Sequence, residues 1–391
     1  MDLEPRTAPG DPGLTASVIT GESGFPRSVL RDRHPELLAR VLDGVPWPPE
    51  VRLALNGLAE EIEGPILPLS DTYGDAAQWA EWAAPYLGRS WYEVPFLWAE
   101  NYFYRKLLGA TGWFAPGPWQ GVDPFGPQKE AELAGAAVRA ELEALDGLAG
   151  LGLNELLLAA LWGNRADLGF QLQRPTVDDE TPATSGLIAD DRAALLALLP
   201  RADRLVLVTD NIGRELLPDL VLADRLLSAR PGTTVALHVK PSPYFTSDAT
   251  PTDVLRTLRR MAEGPAAAVE MVERLRDFIG EGRLAVVTHP FYVAPLTFAE
   301  APAGLQKAYA EADLTVLKGD LNYRRLVGDV EWPATTPFAS VTAYWPGRVA
   351  ALRTLKSDVL VGVDAARLAE LDASGPGWRV SGEYAVVQLA G

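Results

Sequence analysis

Apolar positions along the chain follow two different rhythms. From Glu50 to Ala166 they recur at helical spacing, broken by loops such as Phe114-Ala115-Pro116-Gly117-Pro118, which predicts a run of amphipathic helices. An earlier helical pattern, Leu37 to Leu42, opens just after Pro35, a residue that suits a first helical turn. From about 191 onward, short apolar runs alternate with helical stretches. The pattern predicts helices near 191–199, 214–228, 252–262, 265–279 and 302–311, and strands at 204–209, 233–239, 283–287 and 313–317. Further short strands are expected at 349–353, 359–363 and 384–389. Leu205-Val206-Leu207-Val208, four apolar residues bounded by polar ones, reads as a strand buried on both faces. The alternation as a whole predicts an α/β fold, a mostly parallel sheet covered by helices on both sides. Between Gln171 and Asp191 the helical period is lost. The chain therefore divides into a leader (1–25), a helical N-terminal domain (26–175) and an α/β domain (176–391).

Composition narrows the partners. With 391 residues, 48% of them hydrophobic, the chain can bury a large core. Its 52 acidic against 35 basic residues leave a net charge of −17, which repels phosphate backbones and anionic lipid and argues against nucleic-acid or membrane partners. No apolar run reaches spanning length and the first residues lack a signal pattern, so a cytoplasmic protein is expected. Cysteine is absent, which excludes disulfides, thiolate metal sites and cysteine nucleophiles.

Polar residues cluster where the expected strands end. Asp210 and Asn211 follow the first, Lys240 and then Tyr244 to Asp248 the second, Lys318 to Arg324 the fourth, and Thr354 and Lys356 the strand at 349–353. In a parallel sheet these meet on one edge, where ligands bind. Asp210, Asn211 and Asp248 form an oxygen-only set suited to an octahedral cation such as Mg²⁺ or Mn²⁺. Lys318, Arg324 and Lys356 would complement a phosphate, and Asp320 is the candidate orienting or base residue. In the aromatic helical segment 90–106, Glu100, Asn101 and Arg105 must find partners or a cavity. Each residue also has a plain structural reading: Asp210 and Asp248 as helix caps, Asp320-Leu321-Asn322 as a turn, Lys356 as a surface base. The recurrence at successive strand ends favours a site. His34 is read as a surface or capping residue, and His238 and His289 as structural.

Other chemistries lack their residues. Ile212 stands where a haloacid-dehalogenase-type phosphatase needs a second acid, and no Arg-His-Gly start, GxGxxG, P-loop or HExxH pattern occurs.

Segments 91–106, 205–224, 238–250, 313–330 and 353–358 resemble, in order and spacing, the metal-dependent damage-control phosphatases of the sugar-phosphate branch. This family is also called acidic residue methyltransferase 1-like. The resemblance rests on Thr209-Asp210-Asn211, Ser247-Asp248, Lys318 to Arg324, and Arg353-Thr354-Leu355-Lys356, whose Arg-Thr-x-Lys pattern marks that branch. It implies a three-layer α/β/α fold with a helical N-terminal region and a divalent metal (Mn²⁺, Co²⁺, Ni²⁺ or Mg²⁺) on Asp210, Asn211 and Asp248. It also implies a phosphosugar bound by Asp320, Leu321, Asn322, Tyr323, Arg324 and Lys356, with Glu100 facing the same pocket. The implied activity is hydrolysis of small phosphorylated sugars such as fructose 1-phosphate and fructose 6-phosphate. Arg214 and Glu215 depart from the pattern usual after Gly213. Two alternatives stand beside it: an S-adenosylmethionine-dependent carboxyl methyltransferase, poorly served by a site flanked with cations, and a non-catalytic phosphosugar binder.

Overall fold

A computed structural model describes residues 24–163 and 186–391. Most of the expected leader and the expected domain boundary at 175/176 lie outside the described residues. The helices that matter for the site are α1 (His34–Gly44), α2 (Phe96–Ala110), α3 (Gly126–Ala134), α4 (Leu153–Trp162), α5 (Leu216–Ala229), α6 (Pro251–Ala262) and α7 (Asp320–Val327). Among the described residues seven strands form one sheet: β1 (Leu187–Asp190), β2 (Arg204–Val208), β3 (Thr234–Val239), β4 (Leu284–Thr288), β5 (Leu314–Lys318), β6 (Val349–Thr354) and β7 (Ala385–Ala390).

Their order is β1-β7-β6-β5-β2-β3-β4. Strands β2 to β6 run parallel to one another, whereas β7 is antiparallel to β6 and carries β1 parallel to itself. Alternate residues of the central strands enter opposite cores. Leu205, Leu207, Val235 and Leu237 pack with α4 and α5 on one face, and Val206, Val208, Val349 and Ala351 pack with Tyr292, Phe298 and Tyr309 on the other. This is the three-layer α/β arrangement expected. A third cluster, containing Trp79, Trp91, Trp98, Tyr102 and Phe103, also takes in Tyr244 from the loop after β3 and Leu321 from the first turn of α7, both at the sheet's carboxyl edge. The helical region thereby roofs that edge.

One expected strand is corrected and one unexpected strand is added. Residues 359–363 form no strand, because side chains have already taken their backbone groups. The Val359 carbonyl accepts from Arg353, and the Val361 carbonyl accepts from Gln388 Nε2 at 2.7 Å. Strand β1, absent from the sequence reading, is four residues ending in an acid, too short for a periodic signal.

The chain leaves β2 toward β3 but leaves β5 toward β6, so the connections diverge between the neighbours β2 and β5. Divergence of this kind opens a crevice at the carboxyl ends of the strands.

Candidate active site at the carboxyl edge

Two loops are zipped together at the ends of β2 and β3. The amide of Ile212 donates to the Ser247 carbonyl (2.8 Å), that of Ala249 to the Asp210 carbonyl (2.8 Å), and Asn211 pairs with Asp248 as an isolated antiparallel bridge. Reaching that register winds the approach tightly: Phe245 and Thr246 have φ of 41° and 71°, a strained conformation for residues with a Cβ. The result sets Asp210 and Asp248, both buried, beside one another in one cleft. Burial raises the Asp210 carboxyl well above the usual range, and the neighbouring Glu215 and Asp248 charges raise it further. Asp248 is pushed up to about 6 by burial, which outweighs the opposing Lys240 and Lys129 charges.

Sequence reading notes Glu215 only for the pattern after Gly213 and gives it no place in the site, although it lies four residues after Asn211. Asn211 Nδ2 donates to Asp210 Oδ2 (3.0 Å) and to Glu215 Oε1 (3.1 Å). Among the described residues no three His, Cys, Asp or Glu side chains form a metal site by themselves. The set here is two carboxylates and an amide. Two observations test its fit to a cation. Asp248 Oδ2 is buried with no hydrogen-bond partner, the Lys240 ammonium standing 3.5 Å off as an ion pair, and the Asp210 carboxylate lies directly over Gly319, where an added Cβ would sit 2.0 Å from Oδ2. Crowded, partly unsatisfied oxygen donors suit a hard divalent cation.

Gly319 also has φ of 89°. Gly319→Ala is expected to displace the Asp210 carboxylate, to destabilise the fold by about 1–2 kcal/mol and to lower turnover nearly as far as loss of Asp210 itself. Urea unfolding and initial rates on the same preparation check it; a variant with normal rates would contradict the close approach.

Across the cleft, Asp320 opens α7 and is tied down. Its Oδ1 accepts from Arg353 Nε (2.7 Å), Ser357 Oγ (3.1 Å) and the Lys356 amide (3.2 Å). Burial alone would raise this carboxyl, but the Arg353 and Arg324 guanidiniums outweigh it and hold it below the usual range. A carboxylate so stabilised orients ligands and is a weak base. Arg324 is buried between Glu100 (Nη1–Oε2 2.6 Å) and Asp329 (Nε–Oδ1 2.6 Å). Glu100 is raised by burial to about 7 even with Arg324 opposing. Lys356 is the more open cation, its side chain 43% exposed and its ammonium 3.8 Å from Glu215. Burial would lower it, yet Glu215, Asp210, Asp320 and Asp248 together raise it.

The cleft encloses about 410 Å³ and is lined by Glu100, Asp210, Asn211, Asp248, Asp320, Leu321, Arg324 and Lys356 among the residues singled out from sequence, a size suited to a small molecule. Asn322 and Tyr323 turn elsewhere. Asn322 Nδ2 donates to the Thr209 and Lys318 carbonyls, and Tyr323 donates to Gln388 (3.0 Å) while its ring lies under Arg353. Lys318, expected to face a phosphate, is corrected: its ammonium is buried against Asp219 of α5 at 2.5 Å. Strand alternation sends it to the helix-covered face rather than the crevice. Sequence reading also missed the roof, in which Phe25, Arg33 and Arg40 line the cleft; Tyr104 of the aromatic segment and Phe245 of the loop after β3 line it beside them. His34 is corrected too. It is buried and stacked on Phe103 at 3.7 Å, and burial lowers it to about 3, so it is neutral. His238 is held by the Tyr292 hydroxyl and His289 caps a short helix through the Phe291 amide, both structural roles.

Glu100 makes stability pH-dependent in a defined direction. Its folded pKa, about 7, exceeds the ordinary 4.5, so between these values the folded state holds a proton that the unfolded chain releases, and stability falls as pH rises. Glu100→Gln is expected to match wild type below about pH 4.5 and to gain on it up to about pH 7. Urea midpoints across that range test this; parallel curves would contradict it.

The damage-control phosphatase ARMT1-like domain matches residues 29–371. Proteins named damage-control phosphatase ARMT1 are similar along nearly their whole length. That of Danio rerio is 30% identical, over 94% of this chain and 95% of its own, and that of Homo sapiens 28% identical, over 94% and 96%. The crystal structure of a DUF89 family protein from Pyrococcus horikoshii superposes with a TM-score of 0.50 at 15% identity, covering 91% of this chain and 96% of the other. That likeness concerns the fold. Among the described residues no helix is long and apolar enough to cross a membrane.

Proposed function

The chain belongs to the damage-control phosphatase ARMT1-like family, and from that premise we propose that it hydrolyses small phosphorylated sugars of the fructose 1-phosphate and fructose 6-phosphate type with a divalent cation on Asp210, Asn211 and Asp248. The observation that carries this reading is the pair of buried carboxylates crowded together opposite an open lysine in one cleft of small-molecule size. Burial disfavours the ionised form of both acids, and a bound cation would offset that cost.

A divalent ion in that position polarises the phosphoryl group and lowers the pKa of water. The protein's own groups do the rest. Lys356, drawn in by four carboxylates yet still accessible, grips the phosphate and offsets charge on the departing group. Asp320, kept ionised by Arg353, accepts hydrogen bonds from sugar hydroxyls and fixes their orientation. Arg324 braces Glu100 against α7, so the far wall of the cleft is rigid. Tyr104, Phe245 and Leu321 supply apolar surface that excludes water around the sugar carbons.

A screen of phosphosugars with and without Mn²⁺, Co²⁺, Ni²⁺ or Mg²⁺, reading released phosphate, tests the proposal. Metal-supported release from small ketose phosphates is expected. Binding of phosphosugar without turnover would replace it by a sensor, and tight S-adenosylmethionine binding without metal by a methyltransferase.

A further inference from the structure

Asn211 presents a problem of orientation. A carboxamide has one coordinating atom, and a cation gains nothing from an amide that offers its nitrogen. In the structure the amide is held from both sides. Nδ2 donates to one oxygen of Asp210 and one of Glu215, so turning the amide over would exchange two hydrogen bonds for two close oxygen–oxygen contacts. On the other side Ser247 Oγ donates to Asn211 Oδ1 at 2.6 Å. A carbonyl oxygen has two lone pairs, so this bond occupies one and leaves the second for a cation.

Ser247 is well built for the task. It is half-buried, lines the cleft, and precedes Asp248 in the strained turn opened by Phe245 and Thr246. Its carbonyl is the acceptor for the Ile212 amide. Backbone and side chain of one residue therefore clamp the Asn211 loop to the Asp248 loop.

We propose that Ser247 is a positioning residue that fixes the Asn211 carboxamide with its oxygen toward the cation, coupling the two loops that supply the ligands. The inference rests on the metal site of the proposed function. Groups that orient metal ligands typically govern affinity by 10–100-fold, and a residue acting through Asn211 has no effect once Asn211 is gone.

The test is calorimetric titration of Mn²⁺ into the full chain, without substrate, alongside thermal unfolding of the metal-free protein. Ser247→Ala is expected to raise the Mn²⁺ Kd by about 10-fold or more with little change in metal-free Tm, because its backbone bond to Ile212 remains. Ser247→Thr, which keeps the hydroxyl, is expected to restore affinity. In an Asn211→Ala background, removing the hydroxyl is expected to change Kd no further. A Kd for Ser247→Ala within about twofold of wild type, or a loss that persists undiminished in the Asn211→Ala background, overturns the role of Ser247 and leaves the metal site standing. Wild-type protein that takes up no Mn²⁺ overturns the metal site, and this inference with it.

Discussion

Asp210→Ala is expected to abolish metal-supported release of phosphate from fructose 1-phosphate, a fall of more than ~100-fold, in a protein that still folds. Asp210 follows the central strand β2 and lies against the backbone of Gly319 from β5, the neighbouring strand. It is the point where the two halves of the crevice meet. Its removal deletes one of two carboxylates and leaves the other facing Lys240, 3.5 Å away. Stability is not expected to suffer, because the Asp210 carboxyl is raised by burial and by two acidic neighbours, so its charge opposes folding at neutral pH. Phosphate release and a urea unfolding curve on one preparation check both halves. Turnover at the wild-type rate would reject the site.

Lys318→Met is expected to destabilise the protein by about 3–5 kcal/mol, because it strands Asp219 inside the fold. Both side chains are buried, and Asp219 Oδ2 has no further hydrogen-bond partner. Burial already pushes Asp219 up to about 6 against the pull of Lys318. Replacing both partners, Lys318→Met with Asp219→Leu, is expected to return stability to within about 1–2 kcal/mol of wild type. Activity of the double variant separates the two readings of Lys318. An unchanged KM agrees with a structural ion pair, whereas a stable double variant with a KM raised tenfold would make Lys318 a phosphate ligand after all.

Lys318 also marks where sequence stops being sufficient. Strand ends are legible because buried strands leave an apolar run and their exits a polar break. That is how Asp210, Asp248, Asp320 and Lys356 were found, and the structure gathers them in one cleft. Which face of the sheet a strand-terminal side chain takes depends on register and on the helix beneath, and Asp219 of α5 is 99 residues from Lys318. Asn322 and Tyr323 behave similarly: on an eight-residue helix only one face meets the cleft, and theirs is spent on Thr209, Lys318 and Gln388. The direction of β7 left no trace in its composition, since a strand covered on both faces has the same pattern either way. The roof formed by Phe25, Arg33 and Arg40 was illegible for another reason: it depends on how the N-terminal helices dock over the sheet edge, and local periodicity carries no record of docking.

Anomalous diffraction from crystals grown with Mn²⁺ and a phosphosugar tests the central arrangement most directly. The expected result is a single manganese peak coordinated by Asp210, Asn211 Oδ1 and Asp248, with the phosphate between it and Lys356. A peak held by other residues, or none at all at saturating Mn²⁺, would contradict it.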